Sequence, residues 1–202
     1  RTDRGISGVR QNLGREVARL ISTGLGDLLP MARSEGRHVS HAIRRLCVQL
    51  GHFDDSPLPK DRTLLELGSA FEDLLAGALA SRVERSDPGR YIRPGEQMCD
   101  GIFGTPDLYD LTDHAVIEVK FTRLSTKHDP ESTKFWKYWK QLQAYCHMMG
   151  TRRGRLHIIH INGDYRFGSP GSMPTYRVWG PDHGEFEESE ILDTWSLVKA
   201  YS

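Results

Sequence analysis

Glu118, Val119 and Lys120 are the tripeptide best equipped for chemistry in this chain. On a strand, side chains two apart project to one face, so Glu118 and Lys120 point together while Val119 points away. Upstream stands Gly104-Thr-Pro-Asp107. A turn near Asp110 to His114 would fold the preceding strand back and lay Asp107 beside that pair. Two carboxylates and a lysine then share one place. Phosphodiester cleavage needs such parts: hard oxygen ligands for Mg²⁺ or Mn²⁺, and a metal that acidifies the attacking water and neutralises charge on the phosphate. A nearby lysine orients that water or stabilises the developing charge. An isolated Glu-X-Lys more commonly marks a surface ion pair on an exposed strand, so the surrounding elements decide its meaning.

Helical spacing of Val9, Leu13, Val17, Leu20 and Ile21 predicts an amphipathic helix within 8–29, ended near Gly24 and Gly26. Ser40 is placed to cap a second helix through Ile43, Leu46, Cys47 and Leu50, with Gly51 as its stop. A loop is expected over 54–59. The stripe Leu64, Leu67, Phe71, Leu74, Leu75 and Leu79 predicts a helix over 63–83 that carries Glu72. A turn at 87–89 precedes strands near 91–92, 98–103 and 116–121, the last two joined through 110–114. A polar loop over 125–132 leads to a helix over 134–149, closed by Gly150, with Trp136, Trp139, Leu142, Tyr145 and Met149 on one face. Strands at 156–161 and 176–179 and a helix over 188–201 finish the chain. This order makes a mixed α/β domain, with 1–60 as an N-terminal helical part and 61–202 as the catalytic core of a single domain.

The chain has 202 residues, 38% of them hydrophobic, and no apolar run long enough for a bilayer, so a membrane role is not expected. No secretory leader is recognisable at its start. Cys47, Cys99 and Cys146 are dispersed and odd in number, which argues for a reducing compartment and against a disulfide framework or a four-cysteine cluster. Lys plus Arg equals Asp plus Glu at 27 each, so any nucleic-acid footprint must be local.

Pro106-Asp107 and Glu118-Val-Lys120 together resemble the signature of the PD-(D/E)XK nuclease superfamily. Gly68-Ser-Ala-Phe-Glu72 and Gln141-Leu-Gln-Ala-Tyr145 look like the G-x-x-x-E and Q-x-x-x-Y motifs of its RecB-like branch of exonucleases. The resemblance spans about 64–165 and implies a restriction-endonuclease-like core, a central mixed β-sheet flanked by α-helices. It implies that Asp107 and Glu118 ligate Mg²⁺ or Mn²⁺, with the Val119 carbonyl and Glu72 as further ligands. Lys120 would position the nucleophilic water, and Gln141 and Tyr145 would touch the DNA backbone or steady the site. Ser40 and Cys47 faintly resemble the N-terminal stretch of the CRISPR-adaptation nucleases, but no cysteine follows Cys146, so no iron–sulfur cluster is expected and Cys47 reads as core.

Local basic surface is expected at Lys134, Lys137 and Lys140, interleaved with Phe135, Trp136, Tyr138 and Trp139, and at Arg152, Arg153 and Arg155. Trp136 and Trp139 share the Tyr145 stripe and are better read as core. His157 and His160 lie three apart on a strand, face opposite sides and make a poor metal pair. The expected activity is metal-dependent DNA hydrolysis, preferably from a free end, in replication, recombination or repair. The expected setting is the cytoplasm of a bacterium or virus-infected cell, with a protein partner or second copy helping to hold the DNA. A catalytically silent nucleic-acid-binding or assembly module and a structure- or sequence-specific endonuclease are the alternatives.

Overall fold

Strand propensity along Ala115–Thr122 fixes the middle of the molecule, because this segment is almost wholly buried. In the computed structural model, residues 34–52, 62–83, 90–161, 175–181 and 183–202 are described. The expected helix over 8–29, the loop over 54–59 and the turn at 87–89 lie outside them. The elements run β1 (Arg37–His38), α1 (Val39–Gln49), α2 (Arg62–Val83), β2 (Tyr91–Ile92), β3 (Gln97–Cys99), β4 (Ile102–Gly104), β5 (Leu108–Asp110) and β6 (Ala115–Thr122). They continue as α3 (Thr133–Met148), β7 (Arg153–His160), β8 (Thr175–Trp179) and α4 (Glu188–Tyr201).

Five strands form the main sheet in the order β2-β5-β6-β7-β8, and a smaller sheet has the order β1-β4-β3. β6 and β7 are parallel, while the β2–β5, β5–β6 and β7–β8 pairs are antiparallel. The sheet is therefore mixed, with α3 as the crossover that a parallel pair requires. Alternation sorts β6 onto two layers. Val116, with Leu156 and Ile158 of β7, joins the larger core built with α1, α3 and α4. Ile117 and Val119, with Leu108 and Ile159, pack against Leu75 and Ala76 of α2. The expected fold class, a central mixed sheet flanked by helices, is the one observed.

Several local expectations change. The strand expected over 98–103 is a hairpin, β3 and β4, turning at Asp100 (φ 51°) and Gly101 (φ 72°). Both residues adopt positive φ, as a type I′ turn demands, and Asp-Gly is the sequence that permits it. β5 is an additional short strand. Ser40 is no cap: α1 begins at Val39, with His38 in the N-cap position. β7 begins at Arg153, so Arg153 and Arg155 belong to the strand itself. Trp136 and Trp139 pack against the larger core, and the Trp139 indole donates to the Pro130 carbonyl at 2.8 Å. Cys47 and Cys146 are buried in that same core. Among the described residues no helix is long and apolar enough to cross a membrane.

β4 runs close beneath α3. A Cβ at Gly104 would stand 2.8 Å from Tyr145 Cε1 and 2.7 Å from Met148 Sδ. Overpacking of this kind costs about 1–3 kcal/mol. Gly104→Ala should therefore lower the thermal midpoint by several degrees, measured by circular dichroism, and an unchanged midpoint would mean that α3 yields freely here.

Candidate active site

β5 pairs with β6 only over Leu108↔Ile117 to Asp110↔Ala115, yet β6 runs on to Thr122. The odd-numbered residues of β6 direct their backbone groups to the β5 side. Beyond the end of β5, side chains take the place of the missing strand. Asp107 Oδ2 accepts the Val119 N–H at 2.7 Å. Glu72 Oε1, from α2, accepts the Phe121 N–H at 3.3 Å. The Val119 carbonyl lies on this same edge. Asp107 and Glu72 thus come to the site because a strand edge needs acceptors there.

Glu118 and Lys120 project from β6 toward α3. Glu118 is 1% exposed and Lys120 9%, which rules out a surface ion pair. Lys120 Nζ is paired closely with Glu118 Oε1 and stands 3.9 Å from Glu72 Oε2. Glu118 Oε2 is buried without a hydrogen-bond partner. From α3, the Gln141 amide donates to Tyr145 Oη at 3.0 Å, and the buried Tyr145 hydroxyl lies within the electrostatic reach of Glu118, Lys120 and Asp107. The six residues singled out by the motifs, Glu72, Asp107, Glu118, Lys120, Gln141 and Tyr145, are brought together from β6, the entry to β5, α2 and α3.

No protein-family model matches the chain, and no curated protein matches it either. Among solved structures it is similar to SSO0001, with 16% identity over 94% of this chain and 84% of that one at a TM-score of 0.45. It is also similar to an alkaline exonuclease from Laribacter hongkongensis, with 16% identity over 82% of this chain and 85% of that one at a TM-score of 0.47. A phage-related exonuclease from Haemophilus somnus 129PT shows 11% identity over 80% and 78% of the two chains, at a TM-score of 0.42.

The residues of the expected basic surfaces are largely engaged by neighbours. Lys140 turns inward, donating to Gln143 Oε1 at 2.9 Å and Thr194 Oγ1 at 3.0 Å, and so ties α3 to α4. Arg152 donates to the Phe186 carbonyl at 2.9 Å, and Arg153 pairs with Glu185 at 2.9 Å. Arg155 is held by Asp110 and Asp113. Acidic neighbours offset part of the charge of this patch. Lys134 lies exposed near the start of α3, 2.9 Å from His128 Nε2, and Lys137 sits 4.8 Å from the centre of the Tyr138 ring. Of the histidines, His157 contacts the Tyr176 hydroxyl and His160 Nδ1 contacts the Leu124 carbonyl at 2.8 Å. They are on opposite faces, as expected.

Two residue pairs beside the site belong to none of the sequence motifs. Arg93 pairs with Asp73 at 3.2 Å, and both charges reach Asp107. Nothing in the spacing of Arg93 announces this. Phe71 and Phe121 stack with centroids 4.4 Å apart and planes 10° from parallel. Their positions immediately beside Glu72 and Lys120 were the available signal.

Every acid in the cluster is shifted toward keeping its proton. Burial raises Glu118 well above the usual carboxylate range, and Asp107 adds to that shift. Burial likewise raises Asp107 and Glu72, with Lys120 pulling each part of the way back. Burial works to lower Lys120, but Glu118, Glu72 and Asp107 overcome it and raise the lysine well above its ordinary value. Three carboxylates facing one ammonium leave excess negative charge in a poorly solvated place.

Such a place fits a hard divalent cation. The donors are oxygens, and one of them, Glu118 Oε2, is buried and unpartnered. Among the described residues no group of three or more His, Cys, Asp or Glu side chains forms a ready metal cage. Mg²⁺ sites typically use one or two carboxylates and complete their shell with water and substrate oxygens, so a closed cage is not the relevant standard.

The raised acids set a pH dependence for the metal-free protein. Between the ordinary carboxylate pKa and the raised folded value, the native state binds more protons than the unfolded chain, so stability falls as pH rises through that window. Lys120, raised in the folded state, contributes stability that is lost only in the alkaline range, above this window. In chelator, the thermal midpoint should decline from weakly acid to neutral pH, and Glu118→Gln should flatten the decline. Parallel profiles for the two proteins would contradict this charge assignment.

Proposed function

We propose that this chain is a metal-dependent deoxyribonuclease that hydrolyses phosphodiester bonds from a free DNA end, in replication, recombination or repair. The observation that carries the reading is the buried Glu118 carboxylate with its unpartnered oxygen, surrounded by Asp107, Glu72 and the charged Lys120. Burying this much charge costs far more than an apolar strand would, and a hydrolytic site accounts for that cost.

Asp107 and Glu118 would hold Mg²⁺ or Mn²⁺, with Glu72 and the Val119 carbonyl beside them. When bound, the ion supplies Lewis acidity, acidifying a water and neutralising charge on the scissile phosphate. Lys120 has its pKa raised by Glu118, Glu72 and Asp107, which favours its ammonium form in the metal-free chain. It acts as a donor that orients the attacking water or holds a phosphate oxygen. Tyr145 is raised by burial and by Glu118, so its hydroxyl remains a neutral donor, and Gln141 keeps it aimed.

With Mg²⁺ or Mn²⁺ the native chain should hydrolyse DNA, and Lys120→Ala and Asp107→Ala should each lose about 100-fold or more, the size of effect seen when one transition-state donor is removed. Equal activity in the three proteins would sink the assignment. End-labelled linear DNA should be consumed while closed circles persist; cleavage of both at similar rates would mean an endonuclease. Independently of turnover, Mn²⁺ at 100 times its Kd stabilises a single-site protein by about 2.7 kcal/mol. That corresponds to roughly 5–10 °C for a chain of this size. Glu118→Gln should lose most of this shift.

A further inference from the structure

The apolar stripe of α2 runs past the end of the core it serves. Leu75 and Ala76 are buried against the sheet, whereas one turn earlier Phe71 and Glu72 are only half-buried. Phe121 is likewise half-buried at the rim of that smaller core. Phe71 belongs to neither apolar cluster among the described residues. Its described ring partner is Phe121, at 4.4 Å and 10° from parallel.

This two-ring stack is tied to the acid site by backbone. Phe121 follows Lys120 directly, Phe71 precedes Glu72 directly, and the Glu72 carboxylate accepts the Phe121 N–H at 3.3 Å. Strand alternation sends the Phe121 ring to the face opposite Lys120. The stack thus lies across the open strand edge from Glu118 and Lys120, joined to the acid site through Glu72.

We propose that Phe71 and Phe121 form a stacking platform for one unpaired nucleobase next to the scissile phosphate, so that the nuclease takes a single-stranded or frayed end. This rests on the nuclease reading above. A third flat ring extends the column without requiring hydrogen bonds, which makes the subsite tolerant of base identity. A base pair inside the duplex cannot enter it, because both of its faces are already covered by its neighbours.

The test is a cycle between protein and substrate. A single-stranded oligonucleotide carries one abasic position, moved a nucleotide at a time along the strand from the cleaved bond, and is hydrolysed by the native chain and by Phe71→Leu. Leucine keeps the apolar volume but not the flat face. Phe71→Leu should raise KM by about 5- to 150-fold on the intact strand, the range expected for one base–aromatic stack. One abasic position should raise KM for the native chain similarly, with kcat changing far less in both cases. Combining the two should add nothing further.

An equal Phe71→Leu effect on intact and abasic strands would overturn the proposal, as would indifference of the native chain to every abasic position. Both of those results would leave hydrolysis by the native chain, and hence the nuclease reading, standing. Absence of hydrolysis by the native chain would instead defeat that reading and this inference with it.

Discussion

The late start of β5 is the constraint on which the site depends. Had β5 begun further upstream, its backbone would have satisfied Val119 and Phe121, and no acid would be needed there. Because β5 pairs no further than Ile117, the Val119 and Phe121 amides must find acceptors elsewhere. Asp107 and Glu72 supply them at 2.7 Å and 3.3 Å. A carboxylate has two oxygens, so one can serve an amide while the other faces the site. The same hydrogen bonds that complete the sheet also locate the acids that give it chemistry.

A cost accompanies this arrangement. Glu118 and Lys120 occupy positions that face the larger core, where their neighbours on the same face are Val116, Leu156 and Ile158. The close Lys120–Glu118 pair offsets part of the desolvation, but two further carboxylates share the one ammonium, and every acid responds by holding its proton more tightly. Stability for these positions has to come from elsewhere in the larger core. The stacking of α4 on α3 is one source, through Trp195 and the buried Thr194–Gln143 contact at 2.7 Å. Trp195 also donates to Asp100 at 2.9 Å, tying α4 to the β3–β4 turn just ahead of Gly104.

Much of the site was legible because its residues follow local rules. Strand alternation alone puts Glu118 and Lys120 together, and helical spacing alone puts Gln141 and Tyr145 on one face. Asp107 required only the return of the chain through 110–114. Other features depend on partners remote in sequence. Lys140, Arg152 and Arg153 look like solvent cations until Thr194, Glu185 and Phe186 arrive to occupy them. Arg93 looks like any loop arginine until α2 brings Asp73 to it. The missed β3–β4 turn is different, since Asp100-Gly101 carries its own local signal.

Free edges invite a strand from another chain, and sheets commonly guard them with charge. Along the open stretch of β6 that guard is the acid pair Asp107 and Glu72, placed on the two amides an intruding strand would use first. Protection from edge-to-edge aggregation and the machinery of the site are therefore carried by the same atoms. Removing either acid leaves a backbone amide without its acceptor, so the folding of this edge and the charge of the site are coupled at these two positions.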